Sequence, residues 1–355
     1  MLIFLRLLSK RLLSLLVTLL VTTAVLYGIA MLAPLGARAA LFLPKNLPAH
    51  MTDQQYMQLI MLAIQKNHLR ASYPVQYFYW LKNLVQGNWG YSYTLQQDVF
   101  QAILQRAPVT AELTLYSILL FLPLGLLAGV MTGSRQNSAV DHSFRLAAYI
   151  ATSLPPFILA LILLAFFYVD LYWFAPERLG DAATLIVNSA QFHSYTGLLT
   201  VDGLLNGQPG ISLDALRHLA MPVFTLTLPH WATLARVTRA AMIQEQSQDY
   251  TVAAKARGLS HRQITWRHML PNAVAPALTS SVLSVASLLS GVFVVEIIFG
   301  FHGISEVAVS SMQSTIDPAA ALGFIVYSVF VVSLLMAILD LIQSAFNPRV
   351  RGGAN

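Results

Sequence analysis

The sequence predicts an all-α, polytopic membrane protein with six transmembrane helices, and three observations carry that prediction. The 355 residues are 56% hydrophobic and only 10% charged, against about 25% charged in an ordinary globular domain. Several apolar runs approach or exceed the roughly 20 residues that a bilayer crossing needs. The basic residues concentrate in short segments on one side of those runs, the pattern of the positive-inside rule. Cysteine is absent, which excludes disulfides, thiolate metal sites and cysteine nucleophiles.

The first apolar run follows Arg6, Lys10 and Arg11 and extends over about residues 12–33. A cleaved signal peptide has an apolar region of only about 7–15 residues, so residues 1–35 read as a retained first span that enters from the cytoplasm. Residues 36–108 are polar and mixed and read as an extracytoplasmic segment. Helices are expected there around 54–67 and 74–85, followed by the turn Gly87-Asn88-Trp89-Gly90. Tyr77, Tyr79, Trp80 and Leu84 share a face of the second helix, either as the core of a small external subdomain or as a belt at headgroup level.

The second span, 110–131, has Thr110 as its expected cap and carries Gly125-x-x-x-Gly129, a spacing that permits close helix contact in lipid. A hydrophilic link with Arg135 and Asp141 follows. The third span, about 146–169, contains Pro155-Pro156 and must kink or break there. Residues 170–216 are polar again, and the apolar patch 183–187 is too short to span. The fourth span, about 219–234, is short and interrupted by Pro222 and Pro229. The fifth covers about 274–298 and the sixth about 320–341. Residues 109–347 therefore read as a core of five spans with a cytoplasmic loop at 241–271, and residues 348–355 as a cytoplasmic tail.

Six spans put both termini on one side. The inner segments then hold Arg6, Lys10, Arg11, Arg135, Arg145, Arg236, Arg239, Lys255, Arg257, Arg262, Arg267, Arg349 and Arg351, more than half of the 21 basic residues. Only Asp141, Glu245 and Asp249 clearly join them as acids. This asymmetry accounts for the net charge of +6 without nucleic acid, and it places residues 249–271 in the cytoplasm.

That stretch is the one long, charged, helix-forming segment between two apolar spans. Asp249, Tyr250, Ala253, Ala254, Lys255, Ala256 and Arg257 lie in an alanine-rich helix that stops at Gly258, a residue able to take the left-handed conformation of a helix end. After Leu259, Ser260 opens a second short helix with Gln263 three residues on, the spacing of a capping box. Arg262, Ile264, Leu270 and Pro271 complete it. An ordinary membrane-surface loop is the alternative to a docking hairpin.

The chemistry of enzymes is missing. No phosphate-cradling glycine loop ends in Gly-Lys-Ser/Thr and no His-Glu-x-x-His occurs. The nine histidines are scattered, His261 and His268 are not spaced for shared metal ligation, and no nucleophile elbow is present. Neither a cofactor nor a metal site is expected. Asp170, Glu296 and Asp340 fall near span ends rather than mid-membrane, which argues against proton coupling. On the fifth span Ser280, Ser284, Ser287 and Gly291 follow helical spacing and line one face, for a translocation path or for helix packing, and Glu296 joins them as a path candidate. A passage without a motor suits a docking site for an external one.

The stretch resembles the cytoplasmic "EAA" loop of bacterial ABC-importer permeases through Ala253-Ala254, Gly258, Ile264 and Leu270-Pro271. The likeness to the dipeptide/oligopeptide/nickel subfamily, and to its B-type membrane subunit, covers nearly the whole chain. It includes Leu32-Ala33-Pro34, Gln86-Gly87-Asn88-Trp89-Gly90 with Ser92, the run from Arg106 to Leu113, and Ser153-Leu154-Pro155-Pro156-Phe157. It continues with His218-Leu219-Ala220-Met221-Pro222, Gln248-Asp249-Tyr250, the run from Val295 to Ile304, and Asn347-Pro348-Arg349-Val350-Arg351. Three positions depart from the pattern: Val252 replaces the eponymous glutamate, Asn347 stands where aspartate is usual, and Phe301-His302 replaces Trp-Pro.

The resemblance implies a type I importer permease fold, a bacterial inner-membrane location and a non-catalytic subunit. It also implies a second permease subunit related by a pseudo-twofold axis, two cytoplasmic ATPase subunits that carry out hydrolysis, and an extracytoplasmic substrate-binding protein. In the family the loop supplies the coupling helices. Ala253, Ala254, Gly258 and Ile264 would form the docking surface, with Lys255, Arg257 and Arg262 orienting it. The cargo would be a di- or oligopeptide; nickel, a metallophore, an opine or a polyamine are the alternatives. A self-contained carrier or channel is the reading from another class.

Overall fold

The computed structural model describes residues 2–43, 51–312 and 317–346; the motif beginning at Asn347 and the tail lie outside them. In order, the helices are α1 (Leu2–Ala30), α2 (Leu35–Ala40), α3 (Asp53–Lys66) and α4 (Tyr73–Val85). A two-stranded antiparallel ribbon, β1 (Tyr91–Ser92) and β2 (Gln97–Asp98), pairs Tyr91 with Asp98. Then come α5 (Val99–Gly133), α6 (Ala139–Ser153), α7 (Pro156–Leu163) with a π-helical continuation Leu164–Asp170, α8 (Asp181–Val187) and α9 (Leu199–Leu205). The chain continues with α10 (Pro209–Gln246), α11 (Asp249–Ala256), α12 (His261–Gln263), a π-helical turn Ile264–Met269, α13 (Leu270–Phe299), α14 (Ile304–Ser311) and α15 (Pro318–Phe346).

Among the described residues four helices are long and apolar enough to cross a membrane: Leu12–Ala30, Val99–Gly133, His261–Phe299 and Pro318–Leu339. The pair Ala139–Ser153 and Pro156–Asp170, bent by 99°, makes a fifth if it is one span. The bend falls where two consecutive prolines remove backbone donors and fix φ, as the sequence predicts. The expected fourth span lies inside α10. That helix has ample length, about 57 Å at 1.5 Å per residue, but Asp214, Arg217, His218, His230, Arg236 and Arg239 dilute its apolar character.

Two boundaries differ from expectation. α5 starts at Val99, so Thr110 is an interior residue rather than a cap, and Pro108 does not end the preceding segment. The second helix of the 249–271 stretch is not short either: α12, the π turn and α13 run on as one helix, His261–Phe299.

The chain divides into two compact units. The first comprises Met1–Leu8, Val109–Phe301 and Leu335–Asn355. Its core gathers Leu113 and Phe121 of α5, Leu226 and Leu234 of α10, and Leu288, Val292 and Phe299 of α13. Here α5 and α10 approach to backbone distance. A Cβ on Gly125, Gly129 or Gly133 would lie 2.9, 2.4 and 2.6 Å from atoms of Leu234, Thr238 and Met242. Both series advance by four residues, one ridge against another.

Buried polar groups pin the same unit. Asp141, fully buried on α6, takes two hydrogen bonds from Arg239 of α10, at 2.5 Å (Nε) and 2.8 Å (Nη2), and a third from the Asn137 amide. Glu112 of α5 accepts from Arg178 at 2.6 Å and from the amide and hydroxyl of Thr200. Such acids are tolerated in an apolar interior because each is paired and hydrogen-bonded.

The second unit comprises Ser9–Pro108 and His302–Leu334. Tyr77, Trp80 and Leu84 of α4 pack with Tyr27 of α1 and Val326 of α15, which supports the core reading of the aromatic face. Tyr79 is the exception: it is half exposed and stacks on His68. Asp317 closes the unit by accepting from Ser92 Oγ at 2.7 Å.

Candidate functional site

The candidate site is the hairpin between α10 and α13. Its turn is built from local signals alone. At the end of α11 the Leu259 amide donates to Ala254 O and the Gly258 amide to Lys255 O, the two bonds of a Schellman cap. Gly258 sits at φ +76°, as that cap requires. Ser260 and Gln263 then form a reciprocal capping box, so the predicted start of the second helix holds. The π turn at Ile264–Met269 directly precedes Pro271. A widened turn there relieves the clash between a proline ring and the carbonyl four residues earlier.

Its inner face is rooted in the first unit. Ala254 and Ile264, 5% and 3% exposed, pack with Val130 of α5, Met242 of α10 and Met269 and Ala273 of the long helix, and Leu259 and Leu270 border this cluster. This corrects the sequence reading, which assigned Ala254 and Ile264 to the docking surface. They anchor the hairpin from below. Side-chain ties add to the packing. The Tyr250 hydroxyl donates to Glu245 of α10 and accepts from Asn272 of α13, and the fully buried Thr251 donates to the Glu245 carbonyl at 2.8 Å. Glu245, Thr251 and Asn272 escaped the sequence reading, since only their spacing to Tyr250 in space links them.

The outer face is exposed. Val252, Ala253 and Ala256 present small or apolar side chains, flanked by Lys255, Arg257 and Arg262, with Gly258 and Pro271 also open. Trp266, 43% exposed, adds an apolar ring that sequence reasoning missed. Among the described residues no carboxylate lies within ion-pair distance of Lys255, Arg257, Arg262 or Arg267. Asp249 sits in the first turn of α11, where its charge favours the helix dipole. The arrangement is a rigid tip with small side chains and unneutralised positive charge.

The predicted path residues on α13 do not form one surface. Ser284 is buried, Ser280 and Gly291 are half-buried, and Ser287 is exposed with its hydroxyl turned back to Ser284 O at 3.1 Å. Leu226 of α10 covers Gly291, 3.3 Å from where a Cβ would stand. Glu296 is fully buried and accepts from Thr110 at 2.5 Å. The stripe has helical spacing, but α10 lies across only part of it. Ser281, fully buried with its hydroxyl bonded to Ala277 O, was not anticipated.

Residues 121–352 match the family model described as "Binding-protein-dependent transport system inner membrane component". A di/tripeptide transport system permease protein of Pseudomonas aeruginosa is 33% identical over 276 residues, 78% of this chain and 80% of that protein. A probable D,D-dipeptide transport system permease protein of Escherichia coli is 32% identical over 79% of this chain and 81% of its own length. An oligopeptide transport system permease protein of Bacillus subtilis is 30% identical over 81% and 83%. Among solved structures, a chain of the methionine ABC transporter MetNI in inward-facing conformations aligns with 75% of this chain and 97% of its own, at 15% identity and a TM-score of 0.46.

Proposed function

This chain belongs to the family of binding-protein-dependent transport system inner membrane components, and from that premise we propose that it forms half of the translocation pathway of an ATP-driven peptide importer. The observation that carries the proposal is the exposed tip of the 249–271 hairpin: small side chains at Ala253 and Ala256 and unpaired cations at Lys255, Arg257 and Arg262. Small residues allow a partner's backbone to come close, and the cations suit a groove with acidic walls.

In this reading two cytoplasmic ATPase subunits supply the hydrolysis, one of them holding this hairpin. A second permease subunit completes the pathway around a pseudo-twofold axis, an external binding protein delivers cargo, and both termini are cytoplasmic. The peptide cargo is carried over from the names of the relatives. The chain itself contributes no catalytic group. Its role is mechanical. Displacement of the hairpin reaches α10 through Glu245 and Met242, and α13 through Asn272 and Ala273. Because the cluster under Ala254 is close-packed, it transmits displacement rather than absorbing it.

The test is reconstitution. Proteoliposomes that hold this chain with its partner permease, both ATPases and the binding protein should accumulate labelled dipeptide only with ATP. Accumulation by this chain alone without ATP would overturn the importer-subunit reading in favour of a self-contained carrier.

A further inference from the structure

Residues 36–108 read from sequence as an extracytoplasmic segment, yet α4 is packed on the membrane-crossing part of α1. The Tyr73 hydroxyl donates to Ala24 O. The Tyr77 hydroxyl donates to Leu20 O at 3.0 Å and lies 2.9 Å from the Thr23 hydroxyl. Trp80 stacks on Tyr27 with ring centroids 4.9 Å apart, and the Tyr73 ring covers Gly28, 3.6 Å from where a Cβ would stand.

These contacts fix a depth. The span in α1 is Leu12–Ala30, 19 residues, about 28 Å at 1.5 Å per residue. A hydrocarbon core is roughly 30 Å thick, so the whole span is needed to cross it. No charged residue occurs between Arg11 and Arg38, so any slack lies beyond Ala30 and would carry Leu20 and Ala24 deeper still. Ala24 is then about 9 Å, and Leu20 about 15 Å, inside the end of the span. The tyrosine hydroxyls have the partners that such a depth demands: main-chain carbonyls of a neighbouring helix, in place of the water that the bilayer lacks.

The opposite face of α4 is apolar and uncovered. Val75, Phe78 and Val85 recur at helical spacing, with Phe78 63% and Val85 78% exposed. A helix of a soluble subdomain would turn polar residues outward there. The lone charge of α4, Lys82, has a stem long enough to carry its ammonium to the headgroups. At the same level α1 exposes Val21, Val25 and Ile29, so the uncovered face adjoins a surface that belongs to a span. Five of the 14 tyrosines and two of the five tryptophans fall in residues 73–93, and these residue types gather at the membrane–water boundary.

We propose that α4 lies within the leaflet that holds the C-terminal half of α1, with Val75, Phe78 and Val85 against phospholipid acyl chains. Residues 36–108 then do not lie wholly outside the bilayer. The depth of about 9 Å at Ala24 agrees with the roughly 5–10 Å to which interfacial helices sink. With cytoplasmic termini the leaflet is the outer one. The proposal needs only that α1 crosses the membrane, and a failed transport assay would leave it intact.

The chain has no cysteine, so single cysteines report their own positions. Phe78→Cys and Val85→Cys probe the face, and Gln58→Cys, exposed on the polar side of α3, is the water-facing reference. All three side chains are exposed, so the variants should melt with the parent chain. Each full-length variant is labelled with bimane and placed in nanodiscs of acyl-chain-brominated or plain phosphatidylcholine. Bromine should quench bimane at positions 78 and 85 and leave it unchanged at 58. In plain nanodiscs a charged maleimide should react with the free thiols at 78 and 85 at least about tenfold more slowly than at 58, because apolar surroundings raise a thiol's pKa. Absence of quenching at both positions, or maleimide reaction there as fast as at 58, would overturn the proposal and leave the face open to water and to a protein partner. Equal quenching at 58 would overturn it too, since the label would then find lipid wherever it sits.

Discussion

Replacing Gly258 by valine isolates the backbone geometry of the hairpin from its contacts. No atom lies within 4 Å of the position a Cβ would take, so a side chain there meets no steric obstacle. What remains is φ +76°, a conformation that costs an L-residue roughly 1–2 kcal/mol and is least tolerated by a β-branched one. Fraying the cap relieves that strain by breaking the Leu259–Ala254 bond and freeing the tip. If the ATPase recognises the capped form, capture should weaken by about 5–30-fold. Gly258→Asn, whose side chain tolerates the left-handed region, should lose clearly less. The assay is affinity capture of the ATPase subunits by the chain in detergent, with the yield of membrane-inserted protein as control. Valine binding within about twofold of glycine, or asparagine as damaging as valine, would refute the role of the turn.

The two alanines of the hairpin should behave oppositely. Ala253→Asp, on the exposed face, should leave the melting temperature unchanged and weaken ATPase capture, whereas Ala254→Asp, at a site 5% exposed, should lose folded protein by burying an unpaired charge. Gly129→Val would place its Cβ 2.4 Å from Thr238 Cβ and 2.7 Å from Ala235 O; forcing α5 off α10 should cost about 1–3 kcal/mol or more, read as a lower melting temperature in detergent. Asp141→Asn keeps the shape but leaves Arg239, only 19% exposed, without its charged partner; a loss of about 3 kcal/mol is expected, and a variant that melts with the parent chain would remove Asp141 from the account of how α6 is held.

What could be read from the sequence was local. The glycine cap and the Ser260–Gln263 box depend on residues within three or four positions of each other, so their chemistry is written in a short window. The paired prolines likewise announce the 99° bend because each acts on its own backbone. The division of labour between Ala253 and Ala254 was illegible for a simple reason. Adjacent residues on a helix point about 100° apart, and two alanines carry no polarity contrast to say which points inward. Thr110 misled for the opposite reason, since a residue able to cap a helix sits inside α5, which begins at Val99.

The buried acids show where local reasoning stops. Asp141 meets Arg239 across 98 positions and Glu296 meets Thr110 across 186. From sequence alone Asp141 counted only as an acid in an inner loop, and Glu296 as one near a span end and a candidate for the path. In a soluble protein, alternation of apolar and polar residues marks which face of a helix is inside. In these spans nearly every residue is apolar and that contrast disappears. The few polar side chains then become the face markers, but only once their partners are known. The same logic gives the hairpin its significance. Its inner face is specified by close packing under Ala254 and Ile264, while its outer face keeps cations with no ion pair among the described residues. A loop held only by its own caps would need no such footing; a lever that moves α10 and α13 together would.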